Sequence, residues 1–307
     1  MTEAPLAPID ESTSADEVPE APPREWVAQD DYRMLSMAFT VASMDGRFAE
    51  GLRWHLAPFR LRAPAPGGFP VDLIIEEPDE GQDRPTYLFR LATEERYRSP
   101  LLTAVFGRAV GEIHAAVPQR ARDFLSLHAG AVARNGDALL LPADMERGKS
   151  SLVLALLRAG FSYLSDELGA IDPVTGRAHP FPKRIKLAPT ALPFFPGLEG
   201  ALRDRDLVPF RLWERYIGAE DVGARVADPS TIRWLVFPTP DWDGPARLEP
   251  VSQSEAVRRM AESSFNLYRY GERGVVLLSR IAAEAPGFEL RGGTPADRAN
   301  LIFDRLV

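Results

Sequence analysis

Residues 137–167 constrain the fold of this chain more than any other stretch. Asp137–Leu141 (DALLL) has the composition of a buried strand, and the loop PADMERGKSS follows it. Next come the strong helix formers LVLALLRAG, and the apolar segment Phe161–Leu164 then leads to Asp166 and Glu167. A strand, a loop with Gly-Lys-Ser, a helix and a strand that ends in acids is the order of a phosphate-binding βαβ unit. The pattern therefore predicts an α/β fold.

The Gly-Lys-Ser tripeptide supplies three parts that a nucleotide triphosphate needs. Gly148 lets the backbone close on the phosphates, Lys149 brings a charge to the β- and γ-phosphates, and Ser150 offers a hydroxyl to Mg²⁺. Only three of the 36 basic residues are lysines, all between residues 149 and 186, and a compact ammonium suits this role better than a guanidinium. We therefore predict ATP and Mg²⁺ as ligands. The predicted nucleotide-binding residues are Ala143, Asp144, Met145, Glu146, Arg147, Gly148, Lys149, Ser150 and Ser151.

The loop departs from the full pattern G-x-x-x-x-G-K-[ST] at two positions. Ala143 replaces the first glycine, which costs about 1 kcal/mol if that position needs a left-handed backbone. Glu146 places a carboxylate near the phosphates, and it opposes binding unless it turns outward or pairs with Arg147. We expect reduced nucleotide affinity. A nucleotide-binding or nucleotide-free regulatory module with a decayed loop stays open as an alternative to catalysis.

Composition excludes several other classes of protein. Cysteine is absent, which removes disulfides, thiolate nucleophiles and iron–sulfur clusters. A net charge of −8 argues against nucleic acid as a general partner. No apolar run approaches the roughly 20 residues of a membrane helix, and no signal-peptide pattern is present, so we expect a cytoplasmic protein. The four histidines lack the spacing of a metal cage: His55, His114, His128 and His179.

Changes in composition divide the chain into three parts. Residues 1–30 are acidic and rich in proline, which predicts a disordered tail. Residues 31–120 read as a small mixed α/β region, in which His55 and His114 are predicted to be packing or surface residues. Residues 121–307 contain the Gly-Lys-Ser loop and the acids at 166 and 167, and they are predicted to form a nucleotide-binding catalytic domain. The elements predicted in the second part are strands at Met34–Ser43, Val71–Ile75 and Thr86–Leu91 and helices at Gly46–Phe59 and Ser99–Val117.

The third part contains a basic segment, HPFPKRIKL, with Lys183, Arg184 and Lys186. Alternation along a strand would place Arg184 and Lys186 on the face opposite Lys183. Any of these cations could clamp a phosphoryl group or contact an acidic substrate, and a role as solvent-facing cations stays open. Trp213, Trp234 and Trp242 are predicted to be core residues rather than a base-stacking platform for nucleic acid. Further predicted elements are strands at Phe124–Ala133 and Ile232–Phe237 and helices at Ser252–Leu267 and Ala296–Leu306.

The stretch LHAGAVARNGDALLLPADMERGKSSLVLALLRAGFSYLSDELGAI resembles the catalytic core of HPr kinase/phosphorylase. It resembles more closely the HPr-kinase-related kinases found beside peptide-modification genes. His128 lies 21 residues before Lys149, and Asp166 lies 17 residues after it, and both intervals agree with the family. The resemblance is good over residues 124–190, whereas residues 31–120 match only in general layout. It implies a P-loop, phosphoenolpyruvate-carboxykinase-like α/β core with a small mixed α/β region before it.

The resemblance also implies roles for individual residues. Asp166 corresponds to the carboxylate that accepts the proton of the substrate hydroxyl, and His128 to the partner that orients it. Glu167 would hold Mg²⁺ together with Ser150. The related kinases have a similar Pro-Phe-Pro-basic segment, and Arg184 is the cation of that segment predicted to be catalytic. The implied activity is ATP-dependent phosphorylation of a Ser or Thr hydroxyl on a small protein or peptide.

The family leaves some alternatives open. A small-molecule kinase or a carboxykinase-like enzyme would share the arrangement of strand and phosphate loop, although the short chain and the lack of a metal-binding Lys/His set argue against the carboxykinase. HPr enzymes are hexameric, so a homo-oligomer is an expectation of the resemblance, but their assembly surface is not recognisable in this sequence.

Overall fold

The computed structural model describes residues 25–64, 67–77, 84–145, 147–198 and 215–306. Most of the predicted tail, Glu146 and Trp213 lie outside these residues. The first strand begins at Ala28, so residues 28–30 belong to a strand rather than to the tail. The described part is mixed α/β, as predicted, and contains three sheets.

Residues 28–120 form an N-terminal unit, a five-stranded sheet with two helices. Its strands pair in the order β1-β2-β3-β4-β5, and all neighbours are antiparallel except β2 and β3, which are parallel. The strands are β1 Ala28–Met34, β2 Met37–Ser43, β3 Phe69–Glu76, β4 Thr86–Leu91 and β5 Glu94–Ser99, and the helices are α1 Gly46–His55 and α2 Leu102–Arg120.

The strand predicted over Met34–Ser43 is wrong in its first residues. Leu35 has a φ of 54°, in the left-handed region, and the chain reverses there. β1 and β2 therefore form a hairpin in which Met34 pairs with Met37. The apolar run MLSMAF conceals this turn, because it contains no glycine, asparagine or proline to mark it.

The second sheet has eight strands and holds the Gly-Lys-Ser loop. Its path is β10-β9-β6-β7-β13-β15-β14, β8 pairs with β6, and β10 also pairs with β13. β11 and β12 form a separate pair. The strands are β6 Leu125–Arg134, β7 Asp137–Pro142, β8 Ser162–Ser165, β9 Leu168–Ile171, β10 Arg177–His179, β11 Ile185–Leu187, β12 Arg215–Ile217, β13 Ser230–Pro238, β14 Arg247–Val251 and β15 Gly287–Arg291.

Helices cover both faces of this sheet. Alternate residues of β7 point to opposite sides, so Leu139 and Leu141 pack with α3 and α7, whereas Ala138 and Leu140 pack with α4 and α6. Burial on both faces explains why β7 is a continuous apolar run. The helices are α3 Lys149–Arg158, α4 Gln253–Glu262, α5 Leu267–Tyr270, α6 Glu272–Glu284 and α7 Pro295–Leu306. None of the helices in the described ranges is long and apolar enough to cross a membrane.

The direction of the strands places the Gly-Lys-Ser loop and the acid pair, Asp166 and Glu167, at one edge of the sheet. β7 and β8 are both antiparallel to β6 and therefore run parallel to each other, with α3 connecting them. β13 is parallel to β7. The loop after β7, the acids after β8 and the loop after β13 consequently leave the sheet at its same edge, the usual place for ligands in α/β sheets.

Candidate active site

Gly148 is the N-cap residue of α3, with φ 80° and ψ 17° in the left-handed region. A Cβ atom at this position would lie 2.3 Å from Cη2 of Trp242. Glycine is therefore required here both by the backbone conformation and by the close approach of the indole. The amide groups of the first turn of α3 lie directly after Gly148, where a helix favours an anion.

Lys149 is buried and folds back on its own loop. Its Nζ donates hydrogen bonds to the carbonyl oxygens of Ala143 at 2.8 Å and Asp144 at 2.6 Å. Burial lowers the pKa of Lys149 to about 8, although the carboxylates of Glu167 and Asp166 oppose this shift. The ammonium thus lies inside the loop that a phosphate would enter.

The other predicted loop residues surround Lys149. The backbone N–H of Ala143 donates to the carbonyl of His128 at 3.2 Å, which ties the start of the loop to β6. Arg147 lies 3.7 Å from the carboxylate of Asp144, an ion pair within the loop. Met145 is exposed, and Ser151 is partly buried in the first turn of α3.

Ser150 and Asp166 join the loop to the acids that follow β8. Ser150 Oγ donates a hydrogen bond of 2.8 Å to Asp166 Oδ2. Asp166 is only 2% exposed, and its second oxygen, Oδ1, lies 3.0 Å from Lys183 Nζ and 3.0 Å from the Tyr163 hydroxyl. Ser150 and Asp166, which lie 16 residues apart in the sequence, are therefore in direct contact.

Lys183 is the cation that contacts the acid pair. Its Nζ lies 3.0 Å from Asp166 Oδ1 and 3.0 Å from Glu167 Oε2. Burial alone would lower the pKa of Lys183, but the two carboxylates raise it above its ordinary value, so the side chain stays charged. Burial would likewise raise the pKa of Glu167, whose side chain is half exposed, yet Lys183 holds that pKa below its ordinary value.

Arg184 points to a different part of the molecule. Its Nε donates to the carbonyl of Trp54 at 3.0 Å, its guanidinium lies 3.9 Å above the Trp54 ring, and its Nη1 lies 3.1 Å from Glu220 Oε1. The structure places it between α1 and the short 3-10 helix at Ala219–Val222. Lys183 and Arg184 precede β11 and therefore do not lie on the predicted strand; they contact different partners, and Lys183 is the one beside Asp166.

His128 lies on β6 next to the start of the loop. Burial and the charge of Lys149 lower its pKa, while Glu167, Asp144 and Asp166 oppose that shift. Its ring lies 5.5 Å from that of Phe265, measured between centroids. Among the described residues, no hydrogen bond joins the imidazole to Asp166, so the interaction between them is electrostatic.

Trp242 was predicted to be a core residue, and that prediction is wrong. It is 43% exposed and lies over Gly148, and the guanidinium carbon of the buried Arg298 lies 3.9 Å from the centroid of the Trp242 ring. Arg298 donates to the carbonyls of Gly292 at 2.7 Å and Thr239 at 3.2 Å, which hold it in place. The contact depends on β13 and β7 ending at one edge, which the local sequence around Trp242 does not indicate.

Three oxygen-bearing side chains at this site fit a magnesium ion. Ser150, Asp166 and Glu167 offer a hydroxyl and two carboxylates, and Mg²⁺ is usually bound by one or two carboxylates together with phosphates and water. Across the described ranges, no group of three or more His, Cys, Asp or Glu side chains is arranged to hold a metal ion. A metal at this site would therefore need the phosphates as ligands.

No protein-family model matches this chain, and no curated protein matches it significantly.

Proposed function

We propose that this protein is an ATP-dependent kinase that transfers the γ-phosphoryl group to a Ser or Thr hydroxyl on a small protein or peptide. The observation that carries the proposal is the 2.8 Å hydrogen bond between Ser150 Oγ and Asp166 Oδ2. It joins the end of a Gly-Lys-Ser loop to a buried carboxylate, and phosphoryl transfer needs these two parts side by side.

Each part of the site has a role in this reaction. The amides of the first turn of α3 and the ammonium of Lys149 bind the phosphates. Ser150 and Glu167 hold Mg²⁺, which when bound neutralises charge on the β- and γ-phosphates. Lys183 pairs with Asp166, because its ammonium lies 3.0 Å from the carboxylate.

In the proposed transfer, the acceptor hydroxyl gives its proton to Asp166, and the hydroxyl oxygen bonds to the γ-phosphorus. ADP leaves as the bond between the γ-phosphorus and the bridging oxygen breaks. Both oxygens of Asp166 already have partners, so Ser150 Oγ must turn away before Asp166 Oδ2 can accept that proton. Turning Ser150 towards a metal ion frees this oxygen.

The test is transfer of labelled phosphate from ATP·Mg²⁺ to peptides encoded beside this gene. We expect Asp166→Asn to abolish transfer while leaving ATP binding in place, because the amide cannot take up the proton. Asp304→Asn, an exposed position on α7, is the matched control and should transfer normally. If Asp166→Asn transfers phosphate as well as the unaltered protein, the assignment of the base is wrong.

A regulatory module with a decayed loop is the second candidate. Two observations favour it: Lys149 Nζ is engaged by carbonyls of its own loop, and Trp242 lies against Gly148. Both contacts compete with a phosphate. Calorimetry with ATP·Mg²⁺ separates the two candidates, since an absence of binding in the millimolar range would leave only the regulatory module.

A further inference from the structure

A cavity of about 480 Å³ lies on the side of the acid pair that faces the N-terminal unit. Helix α2 lines one wall, and Glu167 and Lys183 line the other. Its volume falls within the ~300–1,000 Å³ typical of ligand sites. The site described above does not use this cavity.

The cavity has a buried floor and an exposed mouth. Lys183, Phe181 and Leu168 on the floor are buried, whereas Gly111 and Gln119 at the mouth are exposed. A ligand entering from solvent would therefore pass α2 and meet the acids and the lysine at the bottom.

Two polar atoms of the lining residues lack partners. His55 Nδ1 and His114 Nε2 are buried, and neither has a hydrogen-bond partner among the described residues. His55 is 1% exposed, and the two imidazole rings lie 5.6 Å apart between centroids. Burial lowers the pKa of both histidines, so both are neutral and each ring has one donor and one acceptor nitrogen. Neutral imidazoles match an uncharged hydroxyl or amide better than an ion.

The cavity is connected to the phosphate loop through the acid pair. Lys183 on its floor contacts both Asp166 and Glu167, and Asp166 in turn accepts a hydrogen bond from Ser150. A hydroxyl group at the bottom of the cavity would therefore lie next to the acid pair that Ser150 of the Gly-Lys-Ser loop also contacts.

We propose that this cavity binds the hydroxyl-bearing end of the phosphoryl acceptor, an uncharged alcohol next to apolar atoms. His55 and His114 provide its hydrogen bonds, and Leu168, Phe181 and Phe265 contact its apolar part. The role of the ligand as acceptor rests on the proposed function, but its binding needs no nucleotide.

The test uses the full chain and a probe of this chemistry, the blocked dipeptide acetyl-phenylalanyl-serine amide. Its partner, acetyl-phenylalanyl-alanine amide, lacks only the hydroxyl. Proton–nitrogen NMR spectra of the four histidine side chains report the contact, and His→Gln variants assign the signals. We expect the serine probe to shift the signals of His55 and His114 but not that of His179, and to bind at least tenfold more tightly than the alanine probe.

Gly111 offers a way to close the cavity. No atom outside its own helix lies within 4 Å of a Cβ atom at this position, so a larger side chain is accommodated at the mouth. Gly111→Phe should weaken the serine probe at least tenfold, whereas Gly111→Ala, which also improves helix propensity, should leave binding unchanged. Unfolding of both variants by urea shows whether each is folded.

Equal binding of the two dipeptides, no shift at His55 and His114, or unchanged binding by a folded Gly111→Phe variant would each overturn the proposal. Phenethyl alcohol distinguishes the source of the ligand: binding as tight as that of the serine probe indicates a free small alcohol, and weaker binding indicates a peptide. A parallel titration with ATP·Mg²⁺ keeps the two questions apart. Binding of the probe without binding of ATP would retain the cavity site and refute the kinase, and the reverse result would refute only the cavity site.

Discussion

Lys183 and Asp166 form a buried ion pair in which Nζ lies 3.0 Å from Oδ1, with side chains only 7% and 1% exposed. The same carboxylate accepts a hydrogen bond from Ser150, and the same ammonium contacts Glu167. Four side chains therefore connect the first turn of α3 to the cavity beneath α2. The proposed acceptor cavity and the Gly-Lys-Ser loop therefore share contacts with one acid pair.

The first prediction concerns the stability of that ion pair. Lys183→Met should lower the free energy of unfolding by about 3–5 kcal/mol, because it removes the counter-charge of the buried Asp166 carboxylate. Adding Asp166→Asn should recover part of this loss, since the neutral amide needs no counter-charge. Urea denaturation measures both values. Arg305→Met, at an exposed cation on α7, is the control and should change stability by no more than about 0.5 kcal/mol. Equal losses in Lys183→Met and Arg305→Met would contradict the prediction.

The second prediction concerns the protonation of Lys149. Its pKa of about 8 means that above this pH the free protein holds a neutral amine. Phosphates favour the ammonium, so ATP binding at about pH 9 should take up a proton, and affinity should fall by up to about tenfold per pH unit above 8. Calorimetry in buffers of different ionisation enthalpy measures the uptake. Lys149→Arg keeps a fixed charge and should show no uptake. Uptake of the same size in that variant would assign the proton to another group.

The third prediction separates two requirements at Gly148. Gly148→Ala should cost about 1 kcal/mol or more for the positive φ, plus a further cost from the overlap with Trp242. Adding Trp242→Ala to the Gly148→Ala variant should remove the cost of the overlap but not the cost of the positive φ. Gly136 also has a positive φ, 87°, and nothing within 4 Å of a Cβ atom, so Gly136→Ala gives the conformational cost alone. An identical loss of stability in Gly148→Ala and Gly136→Ala would show that the Trp242 indole moves aside at no cost in free energy.

The fourth prediction is a loss of stability in acid. Burial lowers the pKa of His114 to about 3 and that of His55 well below its ordinary value. The unfolded chain binds these protons near pH 6.5, so each histidine should cost up to about 1.4 kcal/mol per pH unit as the pH falls below 6.5. His114→Gln should reduce the slope of the unfolding free energy against pH below 6.5 by the contribution of one histidine, up to about 1.4 kcal/mol per pH unit. Urea denaturation at pH values on both sides of 6.5 measures the slope, and equal slopes would show that His114 titrates as in the unfolded chain.

Local patterns predicted the elements around the site well. The strand β7, the helix α3 and the strand β8 follow from an apolar run, strong helix formers and a second apolar run, because each signal lies within the element it specifies. The start of α4 also agrees with the predicted helix start at Ser252, whose Oγ accepts a hydrogen bond from the N–H of Glu255 at 3.2 Å as the N-cap. The turn at Leu35 was missed because its residues carry no turn signal.

Contacts between distant segments could not be predicted in the same way. Basic residues at 183, 184 and 186 look equivalent in the sequence, yet Lys183 contacts the acid pair and Arg184 contacts Trp54 and Glu220. Which cation faces Asp166 depends on how the segment before β11 lies against β8. Trp242 likewise reaches Gly148 only because β13 and β7 are parallel neighbours.

The sequence by itself determined the α/β class of the described region, the strand–loop–helix–strand unit and the identity of the residues that could meet a phosphate, because periodicity and turn chemistry act over a few neighbouring residues. The tertiary structure decided which of these residues meet. It paired Ser150 with Asp166 and buried Lys183 between two carboxylates. It also opened a cavity beneath α2 lined by two imidazoles, each with one nitrogen that has no hydrogen-bond partner among the described residues. Such contacts depend on the order and direction of strands that lie far apart in the chain, and only the packed core sets these.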